Sequence, residues 1–125
     1  MNFGADRLIE DLQALGYKVE KVTLNDGSIY AVLPDFPIEV GKFAGRVIGL
    51  GLLATADFPR SVSSAIHVRA EPQLYEKTDS VPNIRNITAS ALGDEWRYWS
   101  KNFGWTTERT ARRLMSQINT IFLNA

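Results

Sequence analysis

The chain has 125 residues, which is enough for one domain with a hydrophobic core and too few for two. Its apolar content of 45% and charged content of 22% are ordinary for a soluble globular protein. Lysine plus arginine equals aspartate plus glutamate at 14 each, so no net charge favours nucleic acid or an anionic membrane as the main partner. The absence of cysteine excludes disulfides and thiolate metal sites.

The first half predicts a helix followed by a β-hairpin. Four apolar residues recur at helical spacing, namely Leu8, Ile9, Leu12 and Leu15. Gly16 is placed to end that helix at its C′ position. Residues 17–24 alternate as a half-buried strand, Asn25-Asp26-Gly27 signals a turn, and residues 29–33 supply the second strand. The stretch PDFPIEVGKFAG, with two prolines and two glycines, predicts a long ordered connection.

The second half predicts two more strands and a final helix. Residues 46–54 are apolar on both faces and predict a central strand, and residues 65–69 predict a short fourth strand. No sustained periodicity follows over residues 72–104. The last helix has one apolar stripe, formed by Ala111, Leu114, Met115, Ile118, Ile121 and Phe122. Thr106 or Thr107 is placed to cap it.

The predicted fold class is therefore α+β in one domain over residues 1–125. The order is an N-terminal helix, a four-stranded antiparallel meander, a long loop and a C-terminal helix. No apolar run approaches the roughly 20 residues of a membrane span. The amphipathic, acidic N-terminus MNFGADRLIEDLQ is unlike a signal peptide, so we expect a cytoplasmic protein.

Residue patterns alone point to no reaction. Gly49 and Gly51 lie inside a strand without the third glycine of a phosphate loop, and a close approach by a helix is the favoured interpretation. His67 is the only histidine, which makes a core or edge position more probable than a metal ligand. The serines occupy no nucleophile-elbow motif. No cofactor or metal is expected.

Three tryptophans, Trp96, Trp99 and Trp105, lie within ten residues of one another. Aromatic residues at this density usually form a small core under a long loop. A partner-binding face is the alternative, since tryptophan is enriched at interfaces. Arg109, Arg112 and Arg113 on the last helix favour a solvated face over a docking patch.

A stretch of the central strand carries a family resemblance. FAGRVIGLGLLATADFP (residues 43–59) resembles the segment of ubiquitin-conjugating (E2) enzymes that usually reads YxGGxFxxxIxFPxDYP. The matching positions are Phe43, Gly45, Val47, Leu50, Asp57, Phe58 and Pro59. The family's proline-rich turn corresponds here to the serine-rich RSVSS.

Two further stretches extend the resemblance to most of the chain. PNIRNITASAL (residues 82–92) has the length of the family segment from the Pro-Asn of HPN to the catalytic Cys-Leu. WTTERTARRLMSQINTIF (residues 105–122) is similar to the family's tryptophan and following helix, and WRYWSKN resembles the WxxWSR segment of bacterial E2-like families. The resemblance implies a fold of the ubiquitin-conjugating type without its last two helices.

By this resemblance the catalytic cysteine position is occupied by Ala91, and the histidine of HPN by Val81. Asn83 would stabilise the oxyanion or order the loop. A thiolate is needed to form a thioester and to leave again, and alanine does neither. As written, the chain should form no thioester.

Three interpretations of Ala91 remain open. It is an engineered replacement of a cysteine, a natural residue of an inactive variant, or the result of a wrong register with the site at Ala89 or Ser90, where serine would form an oxyester. We favour a bacterial E2-like carrier present without its cysteine. Such a carrier accepts a ubiquitin-like protein as a thioester from an E1-like enzyme and passes it to an amine. The alternative is an inactive binding module for the same partners.

The resemblance also implies partner surfaces. Asp6, Arg7 and Glu10 on the first helix would dock the E1-like activating enzyme. Two loops would contact other partners, through Phe58, Pro59 and Arg60 and through Trp105, Thr106 and Thr107. A JAB-type deubiquitinase is a further partner of such bacterial pathways. Because fold analogy transfers partners poorly, a purely structural role for these loops is the competing interpretation.

Overall fold

The computed structural model describes residues 4–58, 60–63, 65–75, 77, 86–100 and 110–124. These residues form two helices and six strands. In chain order they are α1 (Ala5–Ala14), β1 (Glu20–Thr23), β2 (Ile29–Pro37), β3 (Val47–Leu53), β4 (Ala65–Arg69), β5 (Asn86–Ser90), β6 (Gly93–Ser100) and α2 (Ala111–Asn124). The predicted α+β class with an antiparallel sheet is confirmed.

The first helix ends where its sequence predicts. Gly16 has a φ of 99°, in the left-handed region that glycine adopts without strain. Its N–H donates to the carbonyl of Gln13 at 2.9 Å, and the N–H of Tyr17 donates to the carbonyl of Leu12 at 3.2 Å. These two bonds form a Schellman motif and satisfy carbonyls that the end of the helix would leave unpaired.

The last helix buries the predicted apolar stripe, comprising Ala111, Leu114, Met115, Ile118, Ile121 and Phe122. The predicted caps, Thr106 and Thr107, lie outside the described residues. Thr110 provides the cap directly before the first helical residue. Its Oγ1 accepts a hydrogen bond from the N–H of Arg113 at 3.2 Å, which satisfies a donor of the first turn.

The strands form one antiparallel sheet in the order β1-β2-β3-β4-β6-β5. The prediction of four strands followed by a long loop is wrong for residues 86–100, which form a hairpin that joins the sheet by pairing β6 with β4. Trp96 and Trp99 are both buried although they lie on opposite faces of β6. This burial on both faces conceals the alternation by which a strand is recognised.

The second strand is longer than predicted. β2 continues beyond Leu33 through the first residues of the predicted connection and ends at Pro37. The pairing with β3 shifts register between Leu33 and Phe36, which marks a bulge at Pro34 and Asp35. A bulge tolerates proline because the missing N–H is not needed for the ladder there.

The two faces of the sheet are covered differently. On one face the helices and the sheet enclose the main core, which includes Leu12, Leu33, Leu50, Ile66, Ile87, Trp99, Ile118 and Phe122. The other face carries a smaller cluster of Tyr30, Val32 and Trp96, with Val22, Leu24, Leu53 and Leu92 packed against it. Because neighbouring residues of a strand alternate in direction, the two clusters lie on opposite faces. We call the second one the open face.

Over the described residues, neither helix is long and apolar enough to span a lipid bilayer.

Candidate functional site

The residue that the resemblance places at the catalytic position lies at the tip of the β5–β6 hairpin. Ala91 and Leu92 form a two-residue turn between the paired residues Ser90 and Gly93. The N–H of Leu92 donates to the Oγ of Ser90 at 3.0 Å, and Gly93 has a φ of 133°. The turn is therefore held by its own residues, and Ala91 is exposed at its tip.

Leu92 folds back onto the open face above a glycine. A methyl group built on Gly51 would lie 2.7 Å from Cδ1 of Leu92 and 3.3 Å from Cζ3 of Trp96. Gly49 leaves similar room for Arg69, whose guanidinium carbon lies 4.9 Å from the centroid of the Trp96 ring. The expectation that a helix approaches these glycines is wrong, because the hairpin tip and a stacked arginine occupy the space.

Beneath the hairpin, the only histidine of the chain is buried between two tyrosines. His67 is 3% exposed, and its ring meets Tyr30 edge-on at 5.0 Å and Tyr98 at 5.3 Å between centroids. Its Nδ1 lies 2.7 Å from the Oγ of Ser90, and the tautomer of the imidazole decides which atom donates. Ser90 therefore links the turn to the sheet.

This serine–histidine pair is poorly suited to nucleophilic catalysis. Burial removes water from the imidazole and lowers the pKa of His67 to about 4. A base this weak activates a hydroxyl group inefficiently at neutral pH, where a pKa near 7 is best. Tyr30 and Tyr98 flank the imidazole ring, and its Nδ1, which an orienting carboxylate binds in a catalytic triad, contacts Ser90 instead. The geometry favours a structural role, in which the hydrogen bond between Ser90 and His67 holds the tip of the β5–β6 hairpin against the open face.

We expect the free energy of unfolding to decrease as the pH falls from about 6.5 to about 4, because the unfolded chain binds a proton at His67 in that range and the folded chain excludes it. A pKa lowered from 6.5 to about 4 corresponds to a loss of about 3 kcal/mol. The contribution of neutral His67 to the free energy of unfolding is fully present at pH values above the unfolded-state pKa of 6.5. It is fully lost at pH values below the folded-state pKa of about 4. Urea unfolding at a series of pH values measures it.

The matched control for this pH dependence is His67→Gln, which retains a polar side chain that does not titrate. The variant should be less stable than the parent at neutral pH and should lose less stability on acidification. An equal loss in both proteins between pH 6.5 and 4 would assign the pH dependence to other groups.

Two grooves lie beside the hairpin. The larger, of about 850 Å³, runs between the β2 bulge and the start of β6 and is lined by Asp35, Gly49, Arg69, Glu71, Asp94 and Arg97, among others. The smaller, of about 180 Å³, is lined by Lys77, Ala89, Gly93, Asp94, Trp96 and Arg97. Asp94 and Arg97 line both, and Ala89 and Gly93 flank the turn that carries Ala91. An extended segment has space to lie next to the hairpin tip.

Comparisons with protein-family models, with curated proteins and with solved structures find no match for this chain. Within the ranges that the structure describes, no group of three or more His, Asp or Glu side chains is arranged to hold a metal ion.

The predicted E1-docking residues lie on α1. Asp6 and Glu10 are exposed, and Arg7 is half-buried. The Nε of Arg7 pairs with Oδ2 of Asp11 at 2.7 Å, and Lys21 Nζ lies 3.5 Å from Oδ1 of Asp6. These pairs lie at the surface, so a partner can reach them.

The loop after β3 adjoins the start of this helix, because the N–H of Gly4 donates to the carbonyl of Phe58 at 3.0 Å. Phe58 is only 1% exposed and belongs to the main core, whereas Arg60 is exposed. A partner at this loop would therefore contact Arg60 and not the Phe58 ring. The remaining predicted site residues, Asn83, Pro59, Trp105, Thr106 and Thr107, lie outside the described residues.

The contact between His67 and Ser90 is the feature that sequence reasoning missed. Each residue is a candidate on its own in the sequence, but 23 positions separate them, so no local pattern indicates that they meet. Their pairing depends on β6 lying between β4 and β5, which follows from the unpredicted hairpin. The available signal was a polar residue, Ser90, two positions before the apolar Leu92 in a predicted loop.

Proposed function

We propose that this chain is a non-catalytic binding module for a ubiquitin-like protein, related to ubiquitin-conjugating enzymes and acting in a bacterial ubiquitin-like conjugation pathway. The observation that carries the proposal is the placement of Ala91. It lies exposed on a turn that is fixed to the sheet, with grooves beside it for an extended tail. Such a site offers the geometry for holding a tail without a group that attacks it.

Charge on the larger groove fits a flexible tail with polar backbone and mixed side chains. Its walls carry Asp35, Glu71 and Asp94 together with two arginines, Arg69 and Arg97. An arginine presents several donors in a fixed geometry, which suits carbonyl oxygens and a terminal carboxylate. The carboxylates of the same groove suit backbone N–H groups and basic side chains of the tail.

The other partners follow from the same resemblance. The E1-like activating enzyme would dock on α1 through Asp6, Arg7 and Glu10, and Arg60 lies on the neighbouring loop. A JAB-type deubiquitinase of the pathway would meet the module through the bound ubiquitin-like protein.

The exposure of Ala91 also favours a second candidate, the carrier itself. A cysteine at this position would project from the hairpin tip, where an E1-bound thioester could reach it. In this interpretation the chain is a carrier from which the reactive thiol has been removed. A cysteine sulfur at position 91 would restore the ability to form a thioester.

Replacing Ala91 by arginine should weaken the binding of a ubiquitin-like protein from the source genome at least about tenfold. The reason is that a long, charged side chain would block the hairpin tip. Isothermal titration calorimetry measures the affinity. The matched control is Ala14→Arg, at another exposed alanine, the last residue of α1. Equal affinities for both variants would remove the hairpin tip from the binding surface.

The variant Ala91→Cys separates the two candidates. With the E1-like enzyme, the ubiquitin-like protein and ATP, a carrier should form an adduct that a thiol reductant cleaves. Binding without an adduct supports the module. If the variant shows no binding and forms no adduct, both candidates are contradicted.

A further inference from the structure

The sheet has two outer strands, and they differ in charge. β5 is the last strand beyond β6 and has the sequence NITAS, which contains no charged residue. Among the described residues it pairs only with β6. Thr88 and Ala89, in its middle, are exposed. Within the described part of the chain, no strand pairs with the outer row of backbone N–H and C=O groups of β5, and such a row can accept another strand.

The opposite edge carries features that discourage pairing. β1 contains Glu20 and Lys21, and Lys18 precedes it. Lys21 is also held near Asp6 of α1, at 3.5 Å. Charged side chains on an outer strand, lysine above all, oppose the approach of a second strand, because pairing would remove them from water. The described features of β5 that discourage such pairing are its short length and a bulge between Ala89 and Ser90.

We propose that two copies of this chain associate by antiparallel pairing of their β5 strands, which joins the two six-stranded sheets into one. The pairing has twofold symmetry, so the residue on the axis faces its own copy, and residues equally far from the axis on its two sides face each other. A charge at the axis would face its own copy, so self-pairing requires an uncharged residue there, and β5 has Thr88 at its centre. A different partner imposes no such requirement, and complementary charges would serve it better.

The extent of the contact sets its strength. Five residues a side provide a short ladder of backbone hydrogen bonds, with β-branched Thr88 and small Ala89 next to the twofold axis. An interface this small falls below the area of stable dimers, so the dimer should dissociate on dilution. It is a reversible contact that forms at high local concentration.

Sedimentation velocity from about 10 µM to about 1 mM should show the average mass rising towards that of a dimer. Thr88→Lys should abolish this rise, because it places a charge at the twofold axis. The matched control is Thr23→Lys, since Thr23 is also an exposed threonine and lies on the other outer strand, β1. It should associate as the parent does. Ala89→Lys should repeat the effect of Thr88→Lys, and thermal melts check that each variant is folded.

Because the chain contains no cysteine, cross-linking through a single introduced cysteine is specific. Under mild oxidation Thr88→Cys should form a covalent dimer, and Thr23→Cys should not, because directly opposed residues of paired strands lie within disulfide range. A parent protein that stays monomeric at about 1 mM would overturn the proposal. So would equal loss of association in the β1 and β5 lysine variants. Binding of an extended peptide to β5 by a monomeric parent would replace self-pairing with another occupant.

Discussion

Replacing Gly41 by alanine should lower the free energy of unfolding by about 3–5 kcal/mol, because backbone strain and a backbone clash add at one position. Gly41 has a φ of 79°, a conformation that L-residues rarely adopt. A methyl group built there would overlap the carbonyl oxygen of Phe122 and lie 3.0 Å from Cα of Leu123. Both neighbours belong to the backbone of α2, which cannot rotate away as a side chain does. Chemical denaturation with linear extrapolation measures the loss.

Gly27 provides a matched control for the strain alone. Its φ is 89°, close to that of Gly41, but a methyl group on Gly27 meets no atom within 4 Å. Gly27→Ala should therefore cost about 1 kcal/mol, the conformational part of the effect. Equal losses in the two variants would mean that contact with α2 contributes nothing at Gly41.

Replacing Trp99 by alanine should cost about 3–5 kcal/mol, because it opens a large cavity where the sheet meets α2. Trp99 is 1% exposed, and its ring centroid lies 5.6 Å from that of Tyr75 and 5.7 Å from that of Phe122. It also faces Ile66 of β4 across the register. Urea unfolding monitored by far-ultraviolet circular dichroism measures the change without relying on the deleted fluorophore.

Two controls test whether the cavity explains this loss. Trp99→Phe keeps most of the ring and removes an indole N–H that is buried and has no hydrogen-bond partner within the described part of the chain. Its cost should be only about 1 kcal/mol, since loss of an unsatisfied donor offsets part of the lost packing. Leu123→Ala, at a side chain that is 55% exposed, should change stability by about 0.5 kcal/mol or less. A loss for Trp99→Phe as large as that for Trp99→Ala would contradict the cavity explanation.

The helices and the first four strands were accessible from sequence because each obeys one strong local rule. The stripe of α2 repeats at helical spacing and is buried as predicted. Gly16 and the Asn25-Asp26-Gly27 turn mark boundaries through backbone conformations that few residues adopt, and both glycines have positive φ. β4 spans the predicted residues because its short apolar run has one clear interpretation.

The candidate site was less accessible because it depends on tertiary contacts. The resemblance singled out Ala91, and its exposure is compatible with a site there. Nothing local, however, indicates that Ser90 reaches His67 or that Leu92 lies over Gly51. Both contacts require β6 to pair with β4, a non-local choice that propensity does not encode.

The position of α2 in the chain has a consequence for biosynthesis. Ile118 and Phe122 cover the side of the sheet that faces the helices, but β2, β3 and β4 are complete by residue 69. At about 5–20 residues per second, a ribosome needs several seconds more to make α2. During that delay the nascent sheet exposes Leu33, Leu50 and Ile66 to solvent. The newly made chain therefore passes through a stage in which apolar side chains of the sheet lack their helix cover and favour aggregation.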